Sequence, residues 1–408
     1  MYKKLSLAAG LLLSIAANAQ GPEVTSWMIN TTGLTGYNNL PANVQLVQYS
    51  TSNVYVSCSD IPAYTIGPWS MNPNTPSNQG FVYKLTRNPQ QNTGTPVATP
   101  LGHMGVWING VSIYNAKDAF TYNNQGIWHQ DAIVVEGMSF DNCKGHPTNT
   151  GEYHHHQNPT CLYTANTSAH SPLLGYAFDG FPVYGPYAYQ NTNGTGNITR
   201  MRSSYSLRNI TQRTSLPDGT QLSASQYGPN VSTQYPLGYY IEDYEYIQGS
   251  GDLDEHNGRF CVTPEYPNGI YAYFVTINTN GSSAYPYTIG PTYYGTVQAG
   301  NTGPGSGHNT VSEPVTTYTS STGISEQDND EINIYPVPAG DELTIDLSSY
   351  KDEISLIQLC DVSGRIVMEV KQPGKNVKLD THALSKGTYM INIRPVNNVA
   401  WRKKIIKL

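Results

Sequence analysis

The spacing of backbone breakers constrains this chain more than any other feature. With 38 glycines and 27 prolines in 408 residues, about one residue in six either frees or fixes the backbone, so uninterrupted segments are short. The chain also carries 32 tyrosines, and Tyr and Thr fit the pleated, half-buried surface of a sheet. Gly, Pro and Asn supply turns. The expectation is an all-β or β-dominated fold with many loops. Charged residues make up only 12% of the chain, but 11% aromatic residues argue for a packed core rather than disorder. The formal net charge of -7 lacks the basic footprint that a nucleic-acid or anionic-membrane partner requires.

The two ends differ from the middle. Lys3 and Lys4 precede an apolar stretch at 5–15, and Ala17-Asn-Ala19 is a small-residue cleavage site. Residues 1–19 therefore read as a signal peptide. The stretch is too short to span a bilayer, which takes ~20 residues, and no other segment has transmembrane length and apolarity. Far along the chain, residues 300–330 have almost no large apolar side chains, which predicts a flexible linker over 296–331. Clean strand patterns follow: Glu342-Leu-Thr-Ile-Asp-Leu347, Ser355-Leu-Ile-Gln-Leu359, Arg365-Ile-Val-Met-Glu-Val370 and Tyr389-Met-Ile-Asn-Ile393. Short strands separated by turn signals predict a small C-terminal β-sandwich over 332–408. Residues 20–295 remain as one Tyr-, Gly- and Asn-rich β domain.

Export makes disulfides possible, and the chain has 5 cysteines. None sits in a C-x-x-C spacing. Cys143 and Cys161 are the preferred bridge, closing a loop of about 17 residues worth roughly 3 kcal/mol in the chain-entropy model. Cys58 with Cys261 is a second pairing, and Cys360 is expected to be free.

The C-terminal segments carry a resemblance. Ile334-Tyr-Pro-Val-Pro-Ala-Gly-Asp-Glu-Leu-Thr-Ile345, Leu359-Cys-Asp-Val-Ser-Gly-Arg-Ile-Val367, Leu379-Asp-Thr-His-Ala-Leu-Ser-Lys-Gly-Thr-Tyr389 and Lys403-Lys-Ile-Ile-Lys-Leu408 resemble, in order, the type A C-terminal sorting domain of the type IX secretion system. The resemblance implies a Bacteroidota-type bacterium, contact with the type IX machinery through residues 332–408, and a secreted or cell-surface location.

Chemistry concentrates between 146 and 179. Five of the 10 histidines lie between His146 and His170. If 153–156 is a strand, the two-residue period puts His154 and His156 on one face, with Tyr153 and His155 opposite. Two imidazoles at that spacing can share an ion; His146 and His170 are the expected further ligands. Such a set suits a divalent transition metal such as zinc, copper or iron, rather than calcium or magnesium. The plainer alternative is that these histidines only hydrogen-bond within a polar, Tyr-rich core. Asp179, Glu265 and Tyr153 are candidate acid/base groups, with no catalytic assignment beyond that. His155 is expected to be structural or solvent-facing.

The same stretch resembles the YHYH family, named for its Tyr-His-Tyr-His motif. The likeness spans residues ~100–275: Gly105-Val-Trp-Ile-Asn-Gly-Val-Ser-Ile-Tyr-Asn115, Asp141-Asn-Cys-Lys-Gly-His-Pro147, His170-Ser-Pro172, Asp179-Gly-Phe-Pro-Val-Tyr-Gly-Pro186, Leu253-Asp-Glu-His-Asn-Gly-Arg-Phe260, Thr263-Pro-Glu-Tyr-Pro267 and Tyr271-Ala-Tyr-Phe274 all resemble family segments. The signature here is Tyr153-His-His-His156, so His155 replaces the second tyrosine. The resemblance implies a domain without implying a reaction.

Other features read as structure. Asp252-Leu-Asp-Glu-His-Asn-Gly258 is better a turn than a calcium loop, because its glycine falls late and it lacks a bidentate Glu. Arg259 and Glu265 suggest an ion pair, and Glu242, Asp243 and Glu245 a solvated acidic face. No Gly-x-Ser-x-Gly, Walker or His-Glu-x-x-His motif occurs. Three functions follow: a metal site, which as an enzyme would be a hydrolase or oxidoreductase; a glycan- or small-molecule-binding surface module; or a closed metal staple.

Overall fold

The computed structural model describes residues 20–303, 305–319, 332–351, 353–361, 366–396 and 401–407. The signal peptide expected at 1–19 and the 320–331 part of the expected linker lie outside the described residues. The chain divides into two units after Thr319.

The first unit is built on a mixed sheet of eight strands. From edge to edge these are Gly258–Cys261, Ile270–Phe274, Pro182–Tyr184, Leu173–Ala177, His103–Trp107, Ser112–Tyr114, Tyr153–His155 and His146–Pro147. Successive side chains on a strand point to opposite faces, and at the centre of this sheet both faces are dry. Val106, Leu173, Tyr184 and Phe274 pack toward Val47, Val56 and Tyr83 of a four-stranded antiparallel sheet. Their chain neighbours Trp107, Leu174, Val183 and Tyr273 belong to a second core on the other side. That is why these strands read as continuous apolar runs instead of alternating. Each such side chain contributes roughly 1.5–3 kcal/mol on burial, so the centre of the sheet is a firm base for its polar edge. Gly175 is needed at mid-sheet: a Cβ there would lie 2.5 Å from the Val106 carbonyl oxygen.

The expected first-domain boundary at 295 and linker start at 296 are corrected. Thr316–Thr317 adds a strand beside Val44–Tyr49. Asn301 accepts from the Lys84 amide at 2.9 Å, and the Val82 amide donates to the Gly307 carbonyl at 2.6 Å. Low hydrophobicity misled because this segment is held by backbone pairing, which needs no apolar side chains. The solvated acidic face is corrected too. Asp243 is fully buried and takes a two-pronged hydrogen bond from Arg213, with both N–O distances 2.7 Å.

The second unit holds two antiparallel sheets. One joins Asn333–Tyr335, Glu342–Asp346 and Asn376–Asp380; the other joins Ile366–Lys371, Ile354–Asp361, Gly387–Pro395 and Trp401–Lys407. Leu343 and Ile345 of the first sheet share one buried cluster with Leu359, Ile391 and Ile393 of the second. The four strand patterns read from the sequence fall within these strands, give or take a residue.

Candidate metal centre

The histidine edge of the large sheet begins with a turn set by Asp141. Its Oδ1 accepts from the amides of Cys143 and Gly145, and its Oδ2 from the Gly67 amide and the Tyr153 hydroxyl. Gly145 lets the returning strand approach, since a Cβ would sit 2.5 Å from the Tyr153 ring. The chain then pairs antiparallel, placing His146 directly opposite His154. Residues opposed in this way lie side by side on one face, and His156 is the next position on that face. The Cys143–Cys161 disulfide forms as expected and brackets all three histidines. Cys58, Cys261 and Cys360 are free and buried, so the Cys58–Cys261 pairing is corrected.

The nitrogens are arranged in two shells. His154 Nε2 lies 3.1 Å from His146 Nε2 and 3.1 Å from His156 Nε2. Each Nδ1 faces outward to an acceptor: His154 to the Glu152 carbonyl at 3.2 Å, and His156 to the Asn115 carbonyl at 2.6 Å. His146 Nδ1 lies 2.6 Å from Ser139 Oγ, whose own proton goes to the Glu136 carbonyl at 2.8 Å. Carbonyls only accept, and a neutral imidazole carries one proton. The protons therefore sit on the outer nitrogens, and three Nε2 lone pairs face one another. Two imidazole nitrogens on one zinc-like ion, at 2.0–2.1 Å each, stand roughly 3.3 Å apart in tetrahedral geometry.

A carboxylate completes the cluster. Glu136 Oε2 is 3.3 Å from His156 Nε2 and 3.6 Å from His146 Nε2. The short helix Ala132–Val135, capped by Asp131 accepting from the Ile133 amide, delivers Glu136 at its end and Ser139 one turn later. Burial, with the charge of His156, pushes His146 down to about 4 against the pull of Glu136. Burial and the neighbouring His146 and His156 hold His154 well below the usual imidazole range. Burial would raise Glu136, but His156 and His146, whenever either carries a second proton, outweigh it and keep the carboxyl low. Above the cluster opens a cleft of about 680 Å³, bordered by Tyr114, Asp118, Phe120 and Met138. Tyr114 stacks on the His154 ring at 3.7 Å between centroids.

The family model described as YHYH protein matches residues 82–285. The chain belongs to the YHYH family. The match extends beyond the segments expected at ~100–275 and takes in the whole histidine edge. The family's altered signature position, His155, is fully buried on the opposite face, edge-on to Tyr153; it is not solvent-facing. Residues 333–407 match the secretion system C-terminal sorting domain. This YHYH protein is accordingly exported to the cell surface or secreted, and its tail engages the type IX machinery. Among the described residues no helix is long and apolar enough to cross a membrane.

No curated protein matches the chain. Among solved structures, a DUF3244 family protein with an immunoglobulin-like β-sandwich fold from Bacteroides vulgatus aligns at 19% identity over 20% of this chain and 88% of its own, with a TM-score of 0.18. PorZ, described as an essential bacterial surface component of the type IX secretion system of Porphyromonas gingivalis, aligns at 12% identity over 93% of this chain and 46% of its own, also with a TM-score of 0.18.

Several expected site residues lie elsewhere. His170 is not with the other three; its Nδ1 meets the Ser171 carbonyl at 2.8 Å, and its ring packs on Tyr184 and Tyr189. Asp179 is fully buried, accepting from the Tyr273 hydroxyl and the Gly295 amide. Glu265 accepts from the Tyr184 hydroxyl at 2.9 Å, while Arg259 donates to the Tyr189 carbonyl, so they serve separate contacts. Tyr153 points to the opposite face and donates to Asp141. None of these three acid/base candidates borders the cleft. Asp254 forms the preferred turn, accepting from the His256 and Gly258 amides. Sequence reasoning missed Glu136 and Ser139, and it gave Tyr114 and Asn115 no role although both close the Gly105 to Asn115 segment of the family resemblance. For Glu136 and Ser139 the local signal was Asp131 as a helix cap, which predicts a turn and not a ligand.

Proposed function

We propose that this exported YHYH protein binds a divalent transition metal through His146, His154, His156 and Glu136. The observation that carries the reading is the pair of shells: three outer hydrogen bonds fix the protons outward, leaving three lone pairs converging on one point. Lone pairs at such separation repel unless a proton or a metal cation lies between them, and with the ring protons held outward, three imidazoles with one carboxylate suit zinc, copper or iron. Because a cleft reaches the cluster, the reading favours an open site over a closed staple. A metal held there would supply a Lewis acid to a small molecule entering the cleft. Metal analysis of the full-length secreted protein tests this: close to one ion per chain is expected. A value near zero that His154→Ala with His156→Ala does not change would defeat it.

A second reading, glycan binding, has one specific support. Phe181, Phe260, Tyr271 and Tyr294 line a shallow cleft of about 400 Å³ beside Asn88 and Gln90, and Phe260 is exposed. Aromatic faces with amides at the rim suit sugar rings. Glycan-array binding that survives chelation and is lost in Phe260→Ala would favour it; a blank array would remove it.

A further inference from the structure

A second cluster lies beyond Tyr114. His103 Nδ1 is 2.7 Å from Glu152 Oε1, and its Nε2 is 2.9 Å from Ser306 Oγ. His103 and Glu152 are only 6% and 8% exposed. The imidazole is held edge-on by Phe81, Tyr83 and Phe178, with centroids 5.2 to 5.8 Å away. An ionised carboxylate can only accept, so it keeps a proton on Nδ1 and leaves the Nε2 lone pair facing the serine. Ser306 Oγ also lies 2.6 Å from the Gly303 carbonyl, so its proton has two acceptors. A separate cleft of about 530 Å³ opens over Ser306, His103, Phe81, Leu101 and His308.

The geometry points to a serine hydrolase centre: Ser306 as nucleophile, His103 as its general base, and Glu152 as the positioning residue that orients the imidazole. The substrates are carboxylic esters or amides with neutral acyl groups, since Phe81 and Leu101 line the cleft. Ser306 Oγ bonds to the carbonyl carbon as its proton passes to His103 Nε2. The bond to the alcohol or amine then breaks, and the leaving group takes that proton. Water attacks the acyl-serine, giving one proton through His103 back to Ser306 and releasing the acid. His308 is exposed in the same cleft, its ring packed on Phe81. No motif announced this centre, because its three members lie on a sheet strand, next to the histidine edge, and in a glycine-rich segment that looks like linker.

The test uses the full chain after chelation, so that any metal-dependent hydrolysis is silent. A fluorophosphonate probe should label Ser306, located by peptide mass spectrometry. Hydrolysis of p-nitrophenyl butyrate should fall by roughly 10³-fold or more in Ser306→Ala. His103→Gln should abolish labelling, and if that variant does not fold, Ser306→Cys gives a second readout. The thiol introduced by Ser306→Cys should be alkylated by iodoacetamide nearly as fast at pH 6 as at pH 8, as a thiolate paired with an imidazole is and a plain exposed thiol is not. Absence of label on Ser306, ester hydrolysis unchanged in Ser306→Ala, or alkylation of the Ser306→Cys variant that falls by roughly tenfold per pH unit between pH 8 and 6 overturns the assignment.

Discussion

At the scale of single residues, the proposed metal centre would depend on atoms that do not touch the ion. Ser139 accepts from His146 Nδ1 and so fixes where that ring keeps its proton. Removing such an outer partner typically costs 10–100-fold in metal affinity. Ser139→Ala should therefore weaken metal binding by about 10-fold or more while leaving the fold intact, measured by competition with a chromophoric chelator. The depressed His146 pKa makes a second prediction. In the metal-free protein this imidazole titrates at about 4, against ~6.5 when unfolded. Between those values the unfolded chain binds the extra proton, so stability is full above pH 6.5 and falls as pH drops toward 4. Asp131 and Asp179, raised by burial to about 7 and about 6, oppose this, since they favour the folded state at low pH. The comparison that isolates His146 is therefore wild type against His146→Gln. The variant should lose on the order of 2 kcal/mol of the acid-side slope in urea titrations at pH 4.5 and 7. Parallel slopes would show that His146 titrates normally.

At the scale of elements, the site is one disulfide-closed hairpin plus one capped helical turn. The hairpin was legible: His154 and His156 alternate, Cys143 and Cys161 bracket them, and the turn residues are local. The helical turn was not. Glu136 reaches His156 across 20 positions, and Asn115 reaches it across 41; such contacts are set by strand register, which leaves no spacing signature. His170 was misread for the same reason, as closeness in sequence stood in for closeness across the sheet. The bridge spans 18 positions, so replacing both cysteines should cost about 3 kcal/mol in the chain-entropy model. Because His146, His154 and His156 all lie inside that loop, Cys143→Ser with Cys161→Ser should also loosen the metal. Thermal denaturation with and without added zinc separates the two effects. An unchanged zinc-induced rise in Tm in the double variant would show that the sheet alone holds the ligands.

At the scale of the whole molecule, each unit has its own closed core: two apolar layers around the large sheet in the first, and one shared cluster between two small sheets in the second. That division was largely readable, since a change in composition marks it. Only its position was misplaced, because residues within 296–303 and 305–319 pair by backbone with the first unit. Independent cores let the sorting tail serve export while the first unit by itself holds the proposed metal site. Deleting residues 332–408 should then leave a folded first unit that keeps its metal stoichiometry but no longer leaves the cell envelope. Fractionation of the native host should find the truncated protein inside the outer membrane and the full chain outside it. Metal analysis of both forms should return the same ratio. A truncated chain that is still exported would mean that a second export signal lies in the first unit. A truncated chain that stays inside but has lost its metal would mean that the first unit is not self-sufficient, and the separation of roles inferred from the two cores would fail.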